Sequence, residues 1–200
     1  MAVYVPKKVE DRIKSNLSKY KRILKTAKDK DIKEADTVSI IRDMLADMMG
    51  WDKYSEITKE YETQGTYCDL GIKIDGEAHI LIEVKRVGIP LDEKHLKQAK
   101  DYASNEGTDW VILTNGVEWN AYKVLFRKPV TVERVFTLNL LEVNARNKKA
   151  IEQIYSISRE GVKKEALKQV HEESQVTNRF VIAGLIMSEP VVKVLKREIK

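Results

Sequence analysis

Cysteine is almost missing from this chain. Cys68 stands alone among 200 residues, so an internal disulfide is excluded and a reducing, cytoplasmic setting is expected. Histidine is scarce too. His79, His95 and His171 are scattered, and none sits at zinc-ligand spacing from Cys68, so no zinc site is expected. No stretch approaches the ~20 apolar residues of a membrane span. The apolar run at the N-terminus is too short for a secretory signal. Gly-x-x-x-x-Gly-Lys-Ser/Thr occurs nowhere, so no ATP site is expected.

What remains is a chain with enough apolar mass for a core. Hydrophobic residues make up 42% and charged residues 34%, a balance typical of a globular protein. The length suits one domain, or one domain with a helical appendage. The net charge of +5 is unevenly placed. Residues 1–30 hold ten Lys/Arg against Glu10, Asp11 and Asp29, which leaves the rest near −2. Such a basic segment suits contacts to a phosphate backbone, with Lys19 and Arg22 as candidates. A solvated lysine-rich helix is the plainer reading.

Periodicity divides the chain into elements. Apolar residues at helical spacing predict helices over 7–28 and 33–49, the second stopped by Gly50. Strands are expected at about 55–62, 67–74 and 78–86. Asp92 caps a helix over about 92–104. The apolar run 109–114 reads as a buried strand, turned at Asn115-Gly116 into a partner over 118–126. A last strand covers 130–138. Helices are expected over 147–156, 159–186 (broken) and 189–199. A helix between strands implies a mixed sheet with helices on its faces. The expected organisation is a basic helix (1–30), an α/β core (31–140) and a helical C-terminal extension (141–200).

One hairpin stands out. Leu70, Ile72 and Ile74 alternate with Asp69, Gly71 and Lys73, and Ile80, Ile82 and Val84 alternate with His79, Leu81, Glu83 and Lys85. Keeping both apolar sets on one face requires pairs 70/82, 72/80 and 74/78. That leaves a three-residue loop, Asp75-Gly76-Glu77, and sets Asp69 opposite Glu83 with Lys85 one pleat along. Directly paired Cβ atoms lie about 5 Å apart. Two carboxylates that close repel unless a cation lies between them or one holds a proton. Mg²⁺, a hard ion held by one or two carboxylates plus substrate phosphate, suits the pattern, as does Mn²⁺. The plainer reading is an ion-paired strand face.

The ordered set Asp69 … Glu83-Val84-Lys85 on this hairpin resembles the PD-(D/E)xK nuclease superfamily. More narrowly, the chain resembles the N-terminal nuclease domain of type I restriction enzyme R subunits, in a form without the motor. Glu34 opens the helix ahead of Gly50-Trp51-Asp52. Gln98-Ala99-Lys100-Asp101-Tyr102 matches a Gln-x-x-x-Tyr helix motif, and Thr114-Asn115-Gly116 with Trp119 matches a Thr-Asn-Gly … Trp hairpin. Cys68 stands where many members carry Pro. The resemblance covers about residues 32–126.

The resemblance implies a restriction-endonuclease-like core and a Mg²⁺-dependent DNA endonuclease of prokaryotic or phage origin. It would act alone or with a separate motor or specificity subunit, and a homodimer would suit cutting of both strands. Asp69, Glu83 and the Val84 carbonyl would hold the metal, Lys85 would complete the catalytic set, and Glu34 would add a contact. Gln98 and Tyr102, one helical turn apart, would touch DNA or orient the site. Plainer roles stand beside these: a helix-dipole partner for Glu34, a partly buried Tyr with a neighbouring Gln. The alternative function is a non-cleaving nucleic-acid-binding or oligomeric interaction module on the same fold.

Overall fold

The computed structural model describes residues 3–63, 66–176 and 179–198. α1 (Lys7–Asp29) and α2 (Glu34–Asp47) come first. α1 buries Val9, Ile13, Leu17, Tyr20, Leu24 and Ala27, one stripe at helical spacing. α2 starts with Glu34 and Asp36 in its first turn, where carboxylates complement the helix dipole. Its end is held from outside. The Arg12 side chain donates to the Met48 and Met49 carbonyls, each at 3.2 Å, and pairs bidentately with Glu160 at 2.8 and 2.7 Å. Gly50 leaves the helix at φ +79°, and a Cβ there would meet the Arg12 guanidinium at 2.6 Å. That close approach requires glycine.

Six strands follow in one mixed sheet, ordered β1 (Ile57–Thr63), β2 (Thr66–Ile74), β3 (Glu77–Val84), β4 (Trp110–Thr114), β5 (Glu118–Leu125) and β6 (Thr131–Asn139). Neighbours are antiparallel except β3 and β4, which run parallel across α3 (Glu93–Glu106). Asp92 caps α3 by accepting from the Lys94 and His95 amides, and Gly107 ends it in the left-handed region. The architecture is the expected one, a mixed sheet flanked by helices with a C-terminal helical region.

The sheet is buried on both faces. Leu70, Ile72, Ile80, Ile82 and Val84 join the main apolar cluster with α1, α2 and the helices that follow the sheet. Leu81, Val111 and Val124 pack with Ala99, Tyr102 and Ala103 of α3. Trp51 and Trp119 are core residues, whereas Trp110 is half-buried. After the sheet come α4 (Lys148–Ser156), α5 (Arg159–Lys163), α6 (Ala166–Val176), α7 (Arg179–Ile186) and α8 (Glu189–Glu198). α4 and the start of α6 pack into the main cluster. α8 buries nothing.

The hairpin corrects one expectation. Pairs 70/82 and 72/80 form, but 74/78 does not: Ile74 pairs with Glu77 and Lys73 with Ala78. The loop is therefore two residues, Asp75 and Gly76, both left-handed at φ 53° and 89°. Such a turn matches the twist of the strands better than the expected three-residue loop. The extra residue is taken up by a bulge beside Ile72 and Lys73, so the apolar faces stay in phase.

Candidate active site

β2 leaves regular alternation at Asp69. Leu70 packs in the main cluster, yet Cys68, two residues earlier, packs on the α3 side. Across on β1, pairing passes from Lys59↔Leu70 to Tyr61↔Cys68, skipping Glu60 and Asp69. Glu60 has φ 47°, an uncommon conformation for a residue with a side chain. An irregularity of this kind re-aims a side chain. Here it lets Asp69 line a cleft of about 260 Å³ with Glu34, Ala35, Val38, Lys59 and Glu60.

The β2–β3 ladder also ends at this point. Its last pair is Leu70↔Ile82, so Asp69 and Glu83 are not a ladder pair as the register expected. Side chains of β2 bond the β3 backbone instead. Cys68 Sγ lies 3.1 Å from the Ile82 carbonyl, and Asp69 Oδ2 accepts from the Val84 amide at 2.7 Å. Cys68 is fully buried, and burial with the nearby Glu83 and Asp69 charges pushes its thiol well up, so it is inert packing.

Glu83 sits at the end of β3 with 2% exposure. Lys85 Nζ donates to its Oε1 at 2.7 Å and lies 3.8 Å from Glu34 Oε1. Oε2 of Glu83 is buried with no hydrogen-bond partner. Burial, the Asp69 charge and Glu34 push the Glu83 carboxyl up to about 7, against the pull of Lys85. Asp69 is also raised: burial leads, Glu34 and Glu60 add to it, and the Val84 amide and Lys85 oppose it. For Lys85, burial works against the charge, but the Glu83 hydrogen bond and the surrounding carboxylates outweigh it and the net shift is upward. These contacts favour the ammonium form of Lys85.

The first turn of α2 holds the segment beyond Lys85. Glu34 Oε2 accepts from the Arg86 amide at 3.1 Å, and the buried Thr37 hydroxyl accepts from the Val87 amide at 3.2 Å. Arg86 in turn bonds Asp31 at 2.8 Å, and the Lys85 amide donates to the Thr114 carbonyl at 2.8 Å. Glu34 is thus bound into the site through backbone as well as charge. Thr37 and Lys59 were not singled out by sequence. Glu34 and Thr37 lie three apart on one helix face, but only the folded partner shows that this face meets two successive amides.

The structure brings together Glu34, Asp69, Glu83, Val84 and Lys85. Gln98 and Tyr102 pair with each other. Gln98 Nε2 donates to the Tyr102 hydroxyl at 2.8 Å, and Tyr102 packs in the α3-side cluster with Cys68. Among the described residues, no hydrogen bond links this pair to Asp69, Glu83 or Lys85. Lys19 is also elsewhere. It pairs with Asp47 at 2.6 Å, at the end of α2 opposite Glu34, about 20 Å along the axis. Arg22 lines an apolar groove between α1 and α2. The roomiest cavity described, about 960 Å³, involves none of these residues. It lies among Asp75, His79, Trp110, Lys123 and α5–α6.

Residues 43–135 match the family of the type I restriction enzyme R protein N terminus (HSDR_N). The match spans Asp69, Glu83, Lys85, Gln98 and Tyr102, and stops short of Glu34, α1 and the helices after the sheet. This part of the chain is thus similar to an R-protein N-terminal domain, on a fold consistent with a nuclease-like core. No curated protein and no solved structure matches the chain.

The R-protein resemblance implies a divalent metal, and the residues present fit one in part. Two carboxylates are raised by burial, and one has an oxygen with no partner. A cation there would relieve both effects. Among the described residues, no three His, Cys, Asp or Glu side chains are gathered into a metal cage. The donor set therefore suits an ion such as Mg²⁺, which keeps several waters and takes one or two carboxylates, and not one enclosed by protein alone.

Proposed function

We propose that this chain is a Mg²⁺-dependent DNA endonuclease of the R-protein N-terminal type, acting alone or as the nuclease module of a restriction or defence assembly. One observation carries the reading: a buried carboxylate, Glu83, with one unpartnered oxygen, beside a half-buried carboxylate, Asp69, and the lysine that bonds the other Glu83 oxygen. The match to the R-protein family supports DNA as substrate and separate motor or specificity subunits as partners.

Asp69 and Glu83 hold the cation, with the Val84 carbonyl as a third donor; Mn²⁺ would serve the same donors. When bound, the ion supplies Lewis-acid stabilisation of phosphoryl charge and lowers the pKa of bound water. Lys85 places a fixed positive charge where the scissile phosphate gains negative charge. Glu34 holds the Arg86 amide and balances the Lys85 ammonium. Gln98 and Tyr102 contact DNA from α3 or orient the site, and Lys19 and Arg22 of α1 contact the phosphate backbone.

The test is cleavage of supercoiled plasmid and of a single-stranded circle with Mg²⁺ or Mn²⁺. Wild type should cut only with metal, and Asp69→Asn and Lys85→Ala should each lose at least ~100-fold. DNA binding without cutting would replace this reading with a non-cleaving module. Undiminished cutting by both variants would place the chemistry elsewhere. Metal should also raise the melting temperature of wild type, and less so of Asp69→Asn, by mass action.

A further inference from the structure

We propose that Asn115 is a positioning residue for Lys85, acting through the turn that follows it; the inference rests on the nuclease reading above. β3 ends at Val84, and one more bond to β4 follows, from the Lys85 amide to the Thr114 carbonyl. The chain then turns over residues 86–89. Gly88 is left-handed at φ 90°, and the Ile89 amide donates to the Arg86 carbonyl at 3.1 Å. A segment outside the sheet keeps its place only through what else holds it. α2 holds the near end, where Glu34 and Thr37 accept from the Arg86 and Val87 amides. The far end is held from the other side: Asn115 Nδ2 donates to the Ile89 carbonyl at 2.8 Å.

The chemistry of the β4–β5 turn explains why this position carries an amide. Thr114 Oγ1 accepts from the Gly116 amide and donates to the Glu118 carbonyl, and Trp119 Nε1 donates to the Gly116 carbonyl. Asn115 Oδ1 accepts from the Val117 and Glu118 amides at 3.0 and 2.7 Å. All of these bonds stay within the turn, and an aspartate would serve the same two amides. Only Asn115 Nδ2 reaches out of it, and that is the donor an aspartate lacks. The two donors on Oδ1 also fix which way the side chain faces.

The turn is a firm post. Gly116 sits so close to α1 that a Cβ would lie 2.7 Å from Leu24 Cδ2, and Asn115 is 6% exposed. With both ends of residues 86–89 pinned, the backbone that carries Lys85 is fixed, and with it the 2.7 Å bond to Glu83 and the 3.8 Å approach to Glu34. Among the described residues, Asn115 makes no hydrogen bond to Asp69, Glu83 or Lys85, so its effect on cutting passes through the turn.

Asn115→Asp is the test, because it keeps the oxygen that the turn needs and removes the donor that reaches Ile89. In plasmid cleavage with Mg²⁺, kcat should fall at least ~10-fold with KM for DNA unchanged, since misalignment is felt in the chemical step. The melting temperature should stay near that of wild type. Asn115→Ala also frees the Val117 and Glu118 amides and should lose rate and stability together. Without DNA or metal, hydrogen exchange at the amides of residues 86–89 should be faster in Asn115→Asp, with exchange across the sheet unchanged. An unchanged kcat overturns the proposal, and so does a raised KM at unchanged kcat, which would make Asn115 a DNA contact. Unchanged exchange at 86–89 in a protein that cuts overturns it alone. A wild type that never cuts overturns the nuclease reading and this positioning role with it, even where exchange shows that the strap exists.

Discussion

Thr37 shows how much one small side chain organises near the carboxylates. Its hydroxyl is fully buried, donates to the Lys33 carbonyl and accepts from the Val87 amide. Thr37→Val keeps shape and removes the acceptor, which orphans a buried amide. Such an orphan costs about 1–3 kcal/mol. Chemical denaturation should show that loss, and Thr37→Ser should recover most of it. If Val is as stable as Thr, the bond to Val87 carries nothing. Gly71 makes a second case. A Cβ there would lie 2.5 Å from the Tyr61 ring. Gly71→Ala should cost about 1–3 kcal/mol through overpacking, measured by the same unfolding curve. A neutral result would mean that Tyr61 swings away freely.

At the scale of elements, Arg12 and Glu160 join α1, the end of α2 and α5. The Arg12 guanidinium holds the Glu160 carboxyl below its ordinary range. A carboxyl depressed on folding adds stability above its unfolded value of about 4.5, and that stability fades as pH falls through the folded value. Glu160→Gln should therefore cost up to about 1 kcal/mol near neutrality, since the pair is partly exposed. The difference from wild type should vanish in acid. A deficit that persists at low pH would assign it to packing. The elements themselves were largely legible in the sequence. α1 and α3 follow from apolar spacing and from Asp92, and their ends fall within a few residues of expectation. One break in the 159–186 stretch comes at Lys164-Glu165, with Glu165 at φ 53°. Local spacing cannot see the departure of β2 at Asp69, because it arises only when Glu60 and Leu70 take up their positions on either side. The same holds for the Asp75-Gly76 turn: parity predicts the register, but a bulge satisfies parity as well as a longer loop does.

For the whole molecule, packing is unequal along the chain. α1, the sheet and α4 share one apolar cluster, whereas the described side chains of α7 and α8 lie almost wholly outside it. Removing residues 177–200 should leave the melting temperature of the core within a few degrees of wild type. A collapse of the core on truncation would show that the last helices support it directly. No described helix is long and apolar enough to cross a membrane.

The bulge in the β2–β3 hairpin has a consequence of another kind. It lies between the tip and the carboxylates, and pairing is regular on either side of it. Deleting His79 would turn the hairpin into an uninterrupted ladder while Leu70 still faces Ile82. Adding a residue there would only widen the bulge. The tip can thus drift in length over descent while Asp69 and Glu83 keep their places, so changes at one end of the hairpin leave no mark at the other.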